Sequence, residues 1–141
     1  MRYWDTSAIV PLFVAESTTD ATRSWLRDDD VIVTWAWSRV EIAGAIERRT
    51  RDSELSRDQR RSVMSRLEEF SATWHEVVEI LAVRTRSMSL LARHPLRAAD
   101  AAQLGAALHV QEQLGAGLPF VCLDRRLTEA AEREGLAVVA A

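Results

Sequence analysis

Four acidic residues stand where a parallel sheet would bring their side chains together. Asp5 directly follows a strand-like opening, Arg2–Trp4, and Asp124 directly follows the apolar run FVCL. Glu41 lies one turn into the helical segment after the β-branched run VIVT, and Asp100 lies in the first turn of an alanine-rich helical segment. Ligands of such sheets bind outside the carboxyl ends of the strands, so the four carboxylates are predicted to share one crevice.

Carboxylates gathered in one crevice repel one another, and the repulsion raises some of their pKa values. A divalent cation removes that cost. Mg²⁺ and Mn²⁺ take oxygen ligands from carboxylates and keep several water molecules. Such a cation can activate water and stabilise charge on a phosphodiester. The pattern therefore favours a Mg²⁺ or Mn²⁺ site that serves phosphodiester hydrolysis.

Each acid also has a purely structural interpretation, which the sequence leaves open. Asp5 and Asp124 suit helix N-caps, and Ser38 with Glu41 spells the S-x-x-E pattern of a capping box. Asp100 in a first turn suits the helix dipole. Glu41 and Asp100 lie among alanines and aliphatic residues, where a solvated cap is less expected, and this favours a shared site.

The segments that position these acids alternate between strand and helix periodicity. The predicted strands are Arg2–Trp4, Val31–Thr34, Trp74–Val78, Phe120–Leu123 and Leu136–Ala140. The predicted helices are Ser7–Val14, Ser17–Asp29, Ser38–Thr50, Ser56–Ser71, Ile80–Arg93, Arg97–Leu114 and Asp124–Glu134. Continuous apolar strands between helices predict a single α/β/α domain over residues 1–141, with a central, mostly parallel sheet of about four to five strands.

Composition excludes several classes of protein. With 48% apolar and 28% charged residues, the 141-residue chain is neither disordered nor of membrane type. No signal peptide is evident at the start, and a single cysteine, Cys122, cannot form an internal disulfide, so we expect a cytoplasmic protein without membrane contact. The net charge of −3 does not indicate nucleic-acid binding, although all 18 basic residues are arginine, which suits phosphate and carboxylate.

Basic and histidine residues give weaker signals. One predicted helix pair carries a cluster of arginines, which could contact RNA phosphates or dock an acidic partner. The cluster could also form a solvated face paired with Glu47, Glu54 and Asp58, and this interpretation is slightly favoured. This cluster comprises Arg48, Arg49, Arg51, Arg57, Arg60, Arg61 and Arg66. Arg97, three residues before Asp100, is a better candidate for touching phosphate. The three histidines lack any two-histidine metal spacing.

Four stretches carry a resemblance to a known family. In chain order they are WDTSAIVPLF, SRVEIAGAI, LRAADAAQLGAAL and FVCLDRRLTEAAEREGL, and together they span Trp4 to Leu136. They resemble the successive blocks of the PIN-domain ribonucleases, above all the VapC toxins of type II toxin–antitoxin modules. One such block alone would be weak evidence for the resemblance, but four blocks in the family's order over nearly the whole chain are specific evidence for it.

The resemblance implies an endoribonuclease that needs Mg²⁺ or Mn²⁺ and cleaves single-stranded RNA segments or tRNA loops. It implies inhibition by a small VapB-like antitoxin and, commonly, a toxin homodimer. The family's acidic quartet falls on Asp5, Glu41, Asp100 and Asp124. We hypothesise that Asp5, Asp100 and Asp124 hold the main metal, with Glu41 completing the site or binding a second ion. Water would attack phosphorus in line, without a covalent enzyme intermediate.

The resemblance also marks substrate-binding positions and one departure. Thr6, or failing that Ser7, falls at the hydroxyl position beside the first acid and would bind a ligand water or a phosphate. Some family members carry a further acid just after the fourth, but here Arg125 and Arg126 follow, which argues against a second strongly bound metal.

Two other functions stay open at this point. One is an acid-lined phosphohydrolase that acts on small phosphates. Its common aspartyl-phosphate type is disfavoured, because that type needs D-x-D, whereas Asp5 is followed by Thr6 and Ser7. The other alternative is a non-catalytic PIN-like module that binds RNA or another protein. Retention of all four acids argues against a dead site.

Overall fold

Five parallel strands form one sheet, in a computed structural model that describes residues 1–141. The strands are β1 (Arg2–Trp4), β2 (Ile32–Trp35), β3 (His75–Val77), β4 (Phe120–Val121) and β5 (Val138–Val139). The helices are α1 (Thr6–Phe13), α2 (Thr19–Asp28), α3 (Ser38–Arg51), α4 (Arg57–Ser71), α5 (Ile80–Arg93), α6 (Ala98–Leu114) and α7 (Arg125–Arg133). None of these helices is both long and apolar enough to cross a membrane.

The order of the strands places a crevice at the middle of the sheet. The order is β3-β2-β1-β4-β5, so the chain first builds outward from β1 on one side and later on the other. Trp4 at the end of β1 pairs with Val121 at the end of β4, and all neighbouring strands are parallel. Strand order therefore reverses between β1 and β4, which is where open α/β sheets bind their ligands.

Two apolar layers cover the sheet because successive strand residues point to opposite faces. Tyr3 and Phe120 belong to the core beneath α5, α6 and α7, and their rings stack with centroids 5.5 Å apart. Trp4 and Val121, the next residues on the same strands, belong to the core beneath α1, α3 and α4. Burial on both faces explains why the strands read as unbroken apolar runs.

The predicted fold class is confirmed, and the differences lie at the ends of elements. The strand predicted over Phe120–Leu123 stops at Val121, because the chain turns there towards α7. The last strand, predicted as buried over Leu136–Ala140, is wrong in extent and burial: it comprises only Val138–Val139, and both residues are half-buried. β5 pairs with β4 alone, so one of its edges stays open.

Candidate active site

All seven residues predicted for the site line one cleft at the carboxyl ends of the strands. The cleft has a volume of about 530 Å³, and the predicted residues in its wall are Asp5, Thr6, Ser7, Glu41, Arg97, Asp100 and Asp124. The α1–α2 connection and the second half of α3 also line it and contribute Glu16, Ser17, Thr18, Ala45, Arg48 and Arg49. Val10 and Leu123 complete the lining.

Asp5 connects β1 to α1 and is only 4% exposed. Its Oδ2 accepts a hydrogen bond from the Ser7 backbone N–H at 2.9 Å and another from the Ser7 hydroxyl, so it is the N-cap of α1. Burial raises the pKa of Asp5; the bonds from Ser7 oppose that shift and the charge of Asp100 adds to it. Its Oδ1 makes no hydrogen bond within the protein and is left for a ligand.

Asp124 repeats the same arrangement on the neighbouring strand. Its Oδ1 accepts the Leu127 backbone N–H at 2.9 Å, which makes it the N-cap of α7. Ser7 joins the two connections, because its hydroxyl oxygen also accepts the Leu123 backbone N–H at 2.9 Å. Both cap predictions are therefore confirmed, and capping leaves the second oxygen of each carboxylate at the cleft.

Glu41 does not form the capping box that the S-x-x-E pattern suggested. α3 begins at Ser38 itself, and no side-chain hydrogen bond caps its start. The Ser38 hydroxyl instead bonds Thr34 at 2.7 Å, beneath the site. Glu41 faces the cleft, where burial raises its pKa to about 7; a hydrogen bond from Thr6 opposes this shift and the charge of Asp5 adds to it.

Asp100 lies in the first turn of α6 with its side chain 20% exposed, and Arg97 lies at the N-cap position of the same helix. The Arg97 Nε is 3.3 Å from the Asp100 Oδ2. The arginine is itself 79% exposed, so this contact is a surface ion pair of small energetic value. Arg97 therefore stands at the mouth of the cleft beside the acid.

Gln103, which sequence reasoning missed, ties the site together from below. It is 1% exposed, and its Oε1 accepts the Tyr3 hydroxyl at 2.7 Å. Its Nε2 faces three oxygens, which belong to Ser38 (2.9 Å), Thr6 (3.0 Å) and Glu41 (3.3 Å). The only signal in the sequence was a lone amide three residues after Asp100 in an otherwise apolar stretch.

The chemistry of the donor set suits a hard divalent cation. The cleft offers carboxylate oxygens, hydroxyls and no soft ligand at its surface, as Mg²⁺ and Mn²⁺ prefer. Burial is the main cause of the raised pKa values of Asp5 and Glu41, and neighbouring carboxylates add to both shifts. No three His, Cys, Asp or Glu side chains converge closely enough to hold a metal ion as they stand.

Comparisons with known proteins agree with this architecture. The PIN domain family model matches residues 2–133. Ribonuclease VapC35 of Mycobacterium tuberculosis, in both the CDC 1551 / Oshkosh and H37Rv strains, is 34% identical over 145 residues, covering 99% of this chain and 96% of the relative.

Two solved structures share the fold at low sequence identity. PAE2754 from Pyrobaculum aerophilum superimposes with a TM-score of 0.62 at 16% identity, covering 99% of this chain and 89% of that one. FitAB, whose structure was solved bound to an IR36 DNA fragment, gives a TM-score of 0.65 at 16% identity, covering 99% and 94%. The family model matches nearly the whole chain, and the relative that is 34% identical is a VapC ribonuclease. This chain therefore belongs to the PIN domain family, as a VapC-type member.

Proposed function

We propose that this protein is a Mg²⁺- or Mn²⁺-dependent endoribonuclease toxin that hydrolyses RNA phosphodiester bonds, with tRNA among its possible substrates. The observation that carries the proposal is that Asp5, Glu41, Asp100 and Asp124 line one cleft at the switch point of the sheet. The relative of the same type, named a ribonuclease, supports the reaction class.

Asp5, Asp100 and Asp124 would hold the cation, with Glu41 completing the site. When bound, such a cation activates water and stabilises the charge that develops on a phosphodiester. Asp5 and Asp124 are fixed by their capping bonds to α1 and α7, so their free oxygens are pre-oriented towards the cleft. Glu41, with a pKa of about 7, must give up a proton to act as a ligand, so cation affinity should rise with pH.

Substrate binding falls to the polar groups around the acids. Arg97 at the mouth of the cleft would pair with a phosphate oxygen in exchange for its weak contact with Asp100. The Thr6 hydroxyl can orient a ligand water or phosphate oxygen beside Glu41. The Ser7 hydroxyl is already engaged with Asp5 and Leu123, so we assign it to holding the two connections in place.

Cleavage of a labelled pool of tRNA and structured RNA by antitoxin-free protein tests this proposal. We expect cuts with Mn²⁺ or Mg²⁺, none in EDTA, and a loss of cutting in Asp5→Asn and in Asp100→Asn. Asp30→Asn is the matched control, because Asp30 is exposed and lies outside the cleft. Absence of cutting by the wild type, or cutting that survives both site substitutions, would instead indicate a non-catalytic RNA-binding or interaction module.

We also propose that a VapB-like antitoxin inhibits the enzyme through a groove between α1, α2 and α4. This groove of about 470 Å³ has an apolar floor of Leu12, Phe13, Leu26 and Phe70. An amphipathic helix places its apolar face in such a groove.

A homodimer is the third part of the proposal. The outer face of α5 exposes Ile80, Leu81 and Met88 by 63%, 66% and 67%, and Leu91 by 41%. Exposed apolar side chains that share a helix face favour association with another protein surface. The mass of the free protein in light scattering distinguishes a dimer from a monomer.

A further inference from the structure

Most of the arginine cluster on α3 and α4 is already engaged within the protein. Ion pairs join Arg49 to Glu16 and Glu54, Arg60 to Glu47, and Arg61 to Asp58. Arg66 donates to the Leu12 carbonyl at 3.2 Å and lies over the Phe13 ring. The interpretation as a paired, solvated face is therefore confirmed for three of the seven arginines, Arg49, Arg60 and Arg61, whereas Arg66 is engaged by other contacts.

Among the remaining three, position separates Arg48 from Arg51 and Arg57. All three side chains are exposed, and none has an ion-pair partner within the protein. Only Arg48 lines the acidic cleft. It follows Glu41 by seven residues on α3, so the two share a helix face about 10 Å apart along the axis.

Arg48 is also the one basic residue of the cleft without a carboxylate partner. Arg49 is held by Glu16, and Arg97 contacts Asp100. An unpaired guanidinium keeps its planar fork of donors free for a phosphate. The exposed Ser17 hydroxyl lies in the same part of the wall and adds a neutral donor.

We propose that Arg48 forms a second phosphate subsite, which binds a backbone phosphate of single-stranded RNA adjacent to the one at the acids. This inference rests on the proposed ribonuclease function. A strand whose scissile phosphate lies among the carboxylates must carry its next phosphates along the same cleft, and Arg48 lines that cleft about 10 Å along the α3 axis from Glu41. An acidic peptide need not place one charge among the carboxylates and the next one near Arg48. The cleft shared by the acids and Arg48 therefore favours RNA.

Steady-state cleavage of an end-labelled tRNA pool by Arg48→Ala, Arg51→Ala and Arg48→Lys tests the subsite. We expect Arg48→Ala to raise KM about three- to tenfold, with kcat within about twofold of the wild type. The log–log dependence of kcat/KM on monovalent salt should become shallower by about 0.7, the share of one single-strand phosphate. Arg48→Lys should keep most of that slope, because the charge is retained. Arg51→Ala, from the same helix but outside the cleft, should match the wild type.

The two proposals fail in different ways. If the wild type neither cuts nor binds RNA, the ribonuclease function is wrong and the subsite is wrong with it. If the wild type cuts but Arg48→Ala shares its KM and salt slope, only the subsite is overturned. If Arg48→Ala alters only inhibition by the antitoxin, Arg48 contacts that protein instead of RNA, and the subsite is again overturned. An equal rise in KM in Arg51→Ala also contradicts the subsite, because the effect would then come from the overall positive charge of the helix and not from the position of Arg48.

Discussion

Two carboxylates of the cleft combine a structural bond with a free oxygen. Asp5 and Asp124 cap helices with one oxygen and leave the other unbonded, so a capping role is compatible with the proposed role as a metal ligand. Capping fixes the carboxylate at little entropic cost, because the helix start supplies the donors. Removing either side chain should therefore affect both stability and the site, whereas Asp→Asn exchanges separate the two effects.

At Glu41 the structure predicts a pH dependence of stability. Its pKa is about 7 in the folded protein against 4.5 ordinarily, so the folded state holds this proton more tightly than the unfolded chain. The contribution of Glu41 to the free energy of unfolding is therefore complete below about pH 4.5 and is lost as the pH rises to about 7. The free energy of unfolding falls by at most about 1.4 kcal/mol per pH unit in this range. Solvent at the partly exposed carboxylate makes the measured slope smaller.

Urea unfolding of the cation-free protein between about pH 5 and pH 8 measures this dependence. Glu41→Gln should show a flatter profile than the wild type, because it removes the titrating group and keeps the shape. Some slope should persist, since burial also raises the pKa of Asp5. Identical profiles for the wild type and Glu41→Gln would show that Glu41 ionises alike in the folded and unfolded states.

Gln103 should matter more than any other neutral residue of the site. Replacing it by Leu leaves the Tyr3 hydroxyl without its buried partner and removes one of the two side-chain bonds of the Ser38 hydroxyl, which should lower the free energy of unfolding by about 1–3 kcal/mol. Release of Thr6 and Glu41 should also lower kcat for RNA cleavage. Gln113→Leu, an exposed position on the same helix, should change stability by less than about 0.5 kcal/mol. Equal effects at positions 103 and 113 would contradict a positioning role.

At the scale of elements, close packing of α5 on α6 sets the position of Asp100. A Cβ on Gly105 would lie 2.9 Å from the Ser87 Oγ and 3.3 Å from the Val83 carbonyl oxygen, so the helices approach closely there. Gly105→Ala should lower the free energy of unfolding by about 1 kcal/mol, because overpacking exceeds the gain in helix propensity. Gly44→Ala on α3 meets nothing within 4 Å and should stabilise by up to about 1 kcal/mol.

A double-mutant cycle checks the cause assigned to Gly105. Adding Ser87→Ala removes the nearest atom, so the pair should cost less than the sum of the single changes. Thermal or urea unfolding of the four proteins provides the measurement. If the changes in the free energy of unfolding simply add, or if Gly105→Ala is stabilising, α5 moves away from the new methyl group without cost and the assigned cause is wrong.

How far the sequence predicts the fold and the site depends on the range of the interactions. Strands and helices with strong periodicity, such as β2 and α6, lie within a residue or two of their predicted bounds, and the four acids do share a cleft. Predictions failed where distant contacts decide: Ser38 bonds Thr34 and Gln103 instead of capping its helix. Gln103 was not identified, and Arg48 was not distinguished from the other arginines of its cluster, because only the packed fold shows which polar groups are buried or unpaired.

For the whole molecule, catalysis and inhibition should be separable, because the cleft and the apolar groove have different walls. Leu26→Glu places a charge in the groove, and we expect at least about a tenfold loss of inhibition by the proposed VapB-like antitoxin. RNA cleavage by the free enzyme should stay unchanged. Leu114→Glu, an exposed leucine at the end of α6, is the control. Unaltered inhibition of Leu26→Glu would place the antitoxin on another surface.

The most direct test of the central claim, that these acids jointly hold a catalytic cation, is the rate of RNA cleavage as a function of Mn²⁺ concentration. The wild type should show a saturable increase that EDTA abolishes. In Asp100→Asn we expect no cleavage, or a half-saturating Mn²⁺ concentration at least about tenfold higher, because a ligand has been lost. Cleavage that continues in EDTA, or an Asp100→Asn curve that superimposes on that of the wild type, would contradict the claim.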